Sequence, residues 1–137
     1  MKYYFDTSIW RDYFENRSEK FMPTGDWAFE LLQKIIKERS IVLYSDLVIK
    51  ELRIDYSDEE IERTFDIIKS VGLLNKVDVT QEDYSEVRKL KSTLDIPFSD
   101  IIHAVLAKNN NALLVYRDKH FYELQKITEI KKPEELI

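Results

Sequence analysis

Residues 2–10 read KYYFDTSIW, a run of aromatic and apolar side chains interrupted by one acid, Asp6. Lys2 to Phe5 has the short, aromatic-rich character of a buried strand. Beyond the acid, Trp10, Tyr13 and Phe14 fall at i, i+3 and i+4, which is helical spacing, with Thr7 or Ser8 as the expected cap. A buried strand that stops at an acid and turns at once into a helix is the opening of an α/β unit. The remainder of the chain decides whether that unit is repeated.

It is repeated. Phe21 to Gly25 reads as a loop, and Asp26 is placed to cap a helix carrying Trp27, Leu31, Leu32, Ile35 and Ile36 on its apolar face. Ile41 to Tyr44 (IVLY) reads as a second strand, followed by a helix capped at Ser45 with Leu47, Val48 and Leu52 inside. Ser57 and Glu60 form a capping box for a helix lined by Ile61, Phe65 and Ile68 and ending near Gly72. Lys76 to Thr80 (KVDVT) alternates as a short exposed strand would. Tyr84, Val87, Leu90 and Leu94 mark a helix stopped by Pro97, and Phe98, Ile101, Ile102 and Val105 mark the next. Ala112 to Tyr116 (ALLVY) reads as a buried strand and Ile127 to Ile130 as a last short one.

Strands separated by helical segments imply parallel pairing with right-handed crossovers. The expected architecture is therefore a three-layer α/β/α sandwich around a short, mainly parallel sheet. No repeat, linker or low-complexity tract divides the 137 residues, so one domain over residues 1–137 is expected.

Composition narrows the function. The formal charge of -5 excludes a globally basic nucleic-acid surface, so RNA or DNA would be met through a local patch or bound cations. The absence of cysteine excludes disulfides and thiolate metal sites. No apolar run approaches the length of a membrane span, and the first residues lack the layout of a secretion signal, so a cytoplasmic protein without membrane contact is expected.

Four acids occupy corresponding places in this pattern. Asp6 ends the first strand, Glu51 lies in the helix leaving the second, Asp100 opens the helix FSDIIHAVLA, and Asp118 follows ALLVY. In open parallel sheets ligands gather beyond the carboxyl ends of the strands, where all four can converge. Each also has a structural explanation on its own. Asp6 can cap a helix, Glu51 can be a solvated helix acid, Asp100 can complement a helix dipole, and Asp118 can form an Asx-turn. Clustered carboxylates repel unless a cation holds them, and oxygen donors suit Mg²⁺ or Mn²⁺ better than zinc. Such ions activate water and stabilise charge on a phosphodiester.

The ordered segments FDTS (residues 5–8), SDLVIKEL (45–52), FSDIIHAVLA (98–107) and RDKHF (117–121) resemble the PIN domain family, and within it the VapC-like toxins of type II toxin–antitoxin pairs. The resemblance spans nearly the whole chain. It implies a Mg²⁺- or Mn²⁺-dependent endoribonuclease with an RNA substrate, a small antitoxin partner and a homodimeric state. By the same resemblance Asp6, Glu51, Asp100 and Asp118 are the metal-binding and catalytic acids. Thr7 and Ser8 match the small hydroxyl residues that support the first acid, and His103 matches a histidine that supports the site one turn beyond the third. Tyr116 departs from the family pattern, which commonly has threonine there.

Arg117, Lys119 and His120 bracket Asp118; such charges are more often those of a solvated loop, and contact with substrate phosphates is the second reading. Trp10, Tyr13 and Phe14 read as core, while the resemblance implies that an antitoxin or a second copy covers part of that helix. Two other functions compete. One is a catalytically silent PIN-like scaffold that binds RNA or protein. The other is a phosphoacceptor α/β protein, which fits poorly: an aspartate-nucleophile phosphatase needs an acid where Ser8 stands, and a receiver needs one ending its middle strand, whereas Asp78 interrupts its segment.

Overall fold

The computed structural model describes residues 1–15 and 23–137. Strands β1 (Lys2–Phe5), β2 (Ile41–Tyr44), β3 (Leu74–Lys76), β4 (Leu113–Val115) and β5 (Ile130–Lys131) form a single sheet in the order β3-β2-β1-β4-β5. Every neighbouring pair is parallel, with Tyr4 opposite Leu43 on one side and Leu114 on the other. The helices are α1 (Thr7–Glu15), α2 (Thr24–Glu38), α3 (Asp46–Leu52), α4 (Asp58–Ser70), α5 (Gln81–Lys91), α6 (Phe98–Asn109) and α7 (Phe121–Leu124), with a 3-10 turn at Pro133–Glu135. The α/β sandwich expected from the sequence is the architecture found.

The pleat of β1 sorts the layers. Tyr4 reaches His103 of α6, whereas its neighbour Phe5 packs on Trp10 of α1, which in turn packs at a tilt against Phe65 of α4. Successive side chains of a strand point to opposite faces, so α6 covers one face of the sheet and α1 with α4 the other. Helix α6 is apolar around its circumference and is buried from Ile101 through Ala107, including His103. As a crossover helix leading into a parallel strand it runs antiparallel to the sheet. Its first turn, with Asp100, therefore lies level with the carboxyl ends of the strands.

Several boundaries differ from the sequence reading. Thr24 and Gly25 belong to α2, so Asp26 lies in the first turn and complements the dipole rather than capping it. Phe21 and Met22, the start of the expected loop, lie outside the described residues. β3 is Leu74–Lys76, earlier than expected, because Thr80 serves as the cap of α5 in a capping box with Asp83. β5 begins only at Ile130, since Ile127 and Thr128 hydrogen-bond back to Leu124 as the turn leaving α7. Tyr84 and Phe98, expected on apolar helix faces, are exposed.

Candidate functional site

The chain leaves β1 in one direction towards β2 and returns from the far side to β4, so the sheet order reverses between β1 and β4. A crevice opens at such a point. Asp6 sits at its mouth: its backbone N–H donates to the Val115 carbonyl at 3.0 Å, extending the β1–β4 ladder by one bond.

Asp6 is also the cap of α1, in place of the expected Thr7 or Ser8. Its carbonyl accepts from the N–H groups of Ile9 and Trp10, and Oδ2 accepts from Ser8 N–H at 3.0 Å and Ser8 Oγ at 2.6 Å. The structural and the functional explanations of this acid are thus compatible, because capping engages one carboxylate oxygen. The other, Oδ1, lies 3.8 Å from Nε2 of His103. Burial raises the Asp6 pKa above the usual carboxylate value, and the His103 and Ser8 contacts offset only part of that rise.

Asp6, Glu51, Asp100 and Asp118 line one cavity of about 290 Å³, together with Thr7, Ser8 and Arg11. The acids come from β1, α3, α6 and the segment after β4. Glu51 Oε1 is 2.6 Å from His103 Nε2, and Nδ1 of that ring is 2.7 Å from the Tyr4 hydroxyl. His103 is fully buried; burial disfavours its charged form, but the Glu51 hydrogen bond and the charges of Asp6 and Asp100 prevail and raise its pKa. Asp100 accepts a hydrogen bond from Tyr116 Oη at 3.1 Å. Its pKa is raised, first by desolvation and then by repulsion from Asp6, with Asp118 adding to the effect. Thr7 Oγ1 lies buried without a hydrogen-bond partner among the described residues.

Tyr116, which departs from the family pattern, is therefore integrated: its ring is buried and its hydroxyl supports the third acid. Arg117, one of the phosphate candidates, is engaged by acids of the chain itself. Its guanidinium makes two hydrogen bonds to Glu134, at 2.5 and 3.0 Å, approaches Asp12 at 3.4 Å and covers the Trp27 ring. Alternation explains this, because Tyr116 and Arg117 leave the strand on opposite faces and only one of them can turn to the cavity. Asp118 and Lys119 are exposed and His120 is half-buried at the head of α7.

Arg11 escaped the sequence reading. It borders the cavity, donates to the Glu51 carbonyl at 3.0 Å and pairs with Asp55 at 2.7 Å. Its position four residues after Thr7, on the same helical face, is the signal that points to it. Tyr4 was read only as a core aromatic, yet its hydroxyl joins the polar network.

The donor chemistry around the cavity is all oxygen apart from His103, and the raised pKa of Asp6 marks a charge that a cation would stabilise. Among the described residues, however, no group of three or more His, Asp and Glu side chains is placed so that it could hold a metal ion as it stands. Glu51 is turned to His103 and Asp100 to Tyr116.

The PIN domain family profile matches residues 3–127. No curated protein matches the chain in sequence. Among solved structures, a chain of the VapBC2 complex of Rickettsia felis, bound to a promoter DNA fragment, superposes with a TM-score of 0.65 at 19% identity, over 96% of this chain and 98% of that one. A chain of a toxin–antitoxin complex from Klebsiella pneumoniae gives 0.68 at 17% identity, covering 96% and 97%. One from FitAcB of Neisseria gonorrhoeae gives 0.63 at 16%, covering 99% and 100%. At these identities the superpositions speak to the fold, and the profile match speaks to the family. The chain belongs to the PIN domain family.

Proposed function

We propose that this protein is a Mg²⁺- or Mn²⁺-dependent endoribonuclease and the toxin of a toxin–antitoxin pair. The observation that carries the reading is the meeting of Asp6, Glu51, Asp100 and Asp118, from four separate parts of the chain, around one cavity at the sheet's switch point. PIN domains are generally nucleases, and the superposable chains come from toxin–antitoxin complexes.

Asp6, Asp100 and Asp118 would hold the cation, with Glu51 completing the site or orienting water and Thr7 and Ser8 supporting the first acid. When bound, the ion supplies positive charge against the phosphodiester and lowers the pKa of water. A carboxylate oxygen of the site that the cation leaves free would take the proton of the attacking water. The water oxygen forms a bond to phosphorus, the bond to the opposite oxygen breaks in line, and that oxygen leaves with a proton taken from bulk water. Arg11, at the cavity wall, is the cation best placed for a substrate phosphate, with Lys119 and His120 on the exposed side.

An antitoxin partner fits a second feature. Tyr13 and Phe14 of α1, Phe29 of α2 and Ile67 of α4 border a groove of about 520 Å³, one helical turn along α1 from the buried Trp10. Homodimerisation belongs to the same reading, and light scattering of the purified chain tests it.

The decisive experiment compares RNA cleavage by the wild type, Asp6→Asn and Asp100→Asn with Mg²⁺, Mn²⁺ or a chelator. Loss of cleavage on chelation and in both variants is expected; full activity in either variant would sink the assignment. A binding scaffold without catalysis is the second reading, favoured by the lack of a ready metal cage among the described residues. Calorimetry showing no Mn²⁺ uptake at millimolar concentration would establish the scaffold over the nuclease.

A further inference from the structure

A file of buried polar groups runs from the core to the cavity. Ser45 Oγ lies 2.8 Å from Tyr4 Oη, Tyr4 Oη 2.7 Å from His103 Nδ1, and His103 Nε2 2.6 Å from Glu51 Oε1. Ser45, Tyr4 and His103 have no measurable exposure, while the Glu51 side chain keeps 28%. We infer that Tyr4, held by Ser45, is a positioning residue that keeps a proton on Nε2 of His103 and thereby fixes Glu51 at the cavity wall.

The inference follows from what each atom can donate. An imidazole nitrogen 2.6 Å from a carboxylate oxygen must carry the proton, since two lone pairs at that distance repel. If the ring is neutral, Nδ1 is then bare and Tyr4 donates to it. If the ring is charged, Tyr4 accepts from Nδ1–H instead. The phenol serves both cases because Ser45, which can donate or accept, takes the complementary part. Ser45 occupies the cap position of α3, where a serine ordinarily bonds a backbone N–H, yet it makes no cap bond. The hydroxyl is committed to Tyr4 at the expense of the helix. Without the phenol, a neutral ring can move its proton to Nδ1, and Nε2 then turns a lone pair on Glu51.

The placement stands on geometry alone; only its consequence for metal binding rests on the nuclease reading. Outer hydrogen-bond partners of ligand residues typically influence metal affinity about 10- to 100-fold. The test is Tyr4→Phe in the full chain, read by nitrogen–proton correlation spectra of the imidazoles in alkaline buffer and by Mn²⁺ titration calorimetry at neutral pH. The chain has two histidines, so His120→Gln assigns the His103 signals.

The expected result is an Nε2–H ring in the wild type, a mixture of tautomers in Tyr4→Phe, and Mn²⁺ affinity lowered about 10-fold, at the modest end of that range. An unchanged tautomer in Tyr4→Phe overturns the inference, and so does a changed tautomer with unchanged affinity. If Tyr4→Phe does not fold, His103→Gln replaces it, because a glutamine amide can donate from near the Nε2 position. It should keep Mn²⁺ binding that His103→Ala loses, and equal loss in both overturns the proposal. A wild type that takes up no Mn²⁺ overturns the nuclease reading instead, and the tautomer spectra then decide the placement by themselves.

Discussion

Asp6 and Asp118 follow neighbouring parallel strands and face the same cavity, yet they are held in opposite ways. Asp6 is buried, tied to β4 through its backbone, to α1 through Ser8, and set beside the fully buried His103. Asp118 is exposed, and the firm contacts of its segment belong to its neighbours: Tyr116 inward to Asp100, Arg117 to Glu134 and Asp12. The contrast separates two means of placing a charge. On the Asp6 side the core fixes the side chain itself and its pKa rises; on the Asp118 side the fold fixes only the backbone on either side.

The strongest way to break this contrast is to neutralise each acid. Asp6→Asn should reduce metal-dependent RNA cleavage about 100-fold or more, the scale on which removal of a single fixed electrostatic group acts. Asp118→Asn should reduce it less, and equal losses would erase the distinction. Asp6→Asn should at the same time melt no lower than the wild type at neutral pH. Asparagine keeps an oxygen for the Ser8 contacts and removes a buried charge. A marked fall in Tm would show that the ionised form stabilises the fold, against the direction of its pKa.

Next in size is the anchor beneath the exposed side. Arg117→Leu should cost about 2–3 kcal/mol by urea denaturation. That is below the full penalty for breaking a buried pair, because Glu134 keeps 27% of its side-chain exposure. It should weaken Asp118 by loosening its segment while leaving the Asp6–His103–Glu51 side in place. Tyr116→Phe is the smaller companion. Losing one hydrogen bond to a charged group at a half-buried site should cost about 1–2 kcal/mol and push the Asp100 pKa further up, because the Tyr116 bond lowers it. A downward shift in the acid limb of the rate profile would contradict this placement.

The gentlest test uses pH. Asp6 and Asp100 have raised pKa values in the fold, so their ionisation opposes folding, and that opposition is relieved as pH falls through those raised values. Asp83 has a lowered pKa: the Thr80 and Asn109 hydrogen bonds outweigh its desolvation. Glu134 is lowered in the same sense, with Arg117 outweighing desolvation. Their stabilisation is present above the unfolded carboxylate range and is lost as pH falls through the depressed folded values. Melting curves in acid should therefore flatten in opposite senses. Asp83→Asn should blunt the loss as pH falls through the depressed Asp83 value, and Asp100→Asn should blunt the gain as pH falls through the raised Asp100 value. The same sign in both variants would refute the assignment of one group to the site and the other to the α5–α6 seam.

How much of this was legible depended on whether the signal was local. The β1 strand, the buried β4 segment and the capping box at Ser57 each lie within a few residues, and period and composition reveal them. The choice of cap for α1 among Asp6, Thr7 and Ser8, and the position of β3, were not legible locally. At both places a polar residue at the end of an extended segment also serves the next helix, Asp6 capping α1 and Thr80 capping α5. The direction of Arg117 was not legible because adjacency to Asp118 in sequence says nothing about direction, and β alternation sends it to Glu134. Tyr4 was read as apolar filler because its hydroxyl partners lie 41 and 99 residues away.

The sequence by itself determined the alternation of strands and helices, the all-oxygen character of the candidate ligands and the places where acids terminate or follow strands. These follow from periodicity and residue chemistry, which act over one or two turns of chain. Only the tertiary structure decided which acids share a cavity, which oxygen of Asp6 is left for it, and that Tyr116 rather than Arg117 turns inward. Those outcomes depend on parallel pairing, on the reversal of sheet order between β1 and β4, and on the direction of α6. Long-range packing alone brings such elements together.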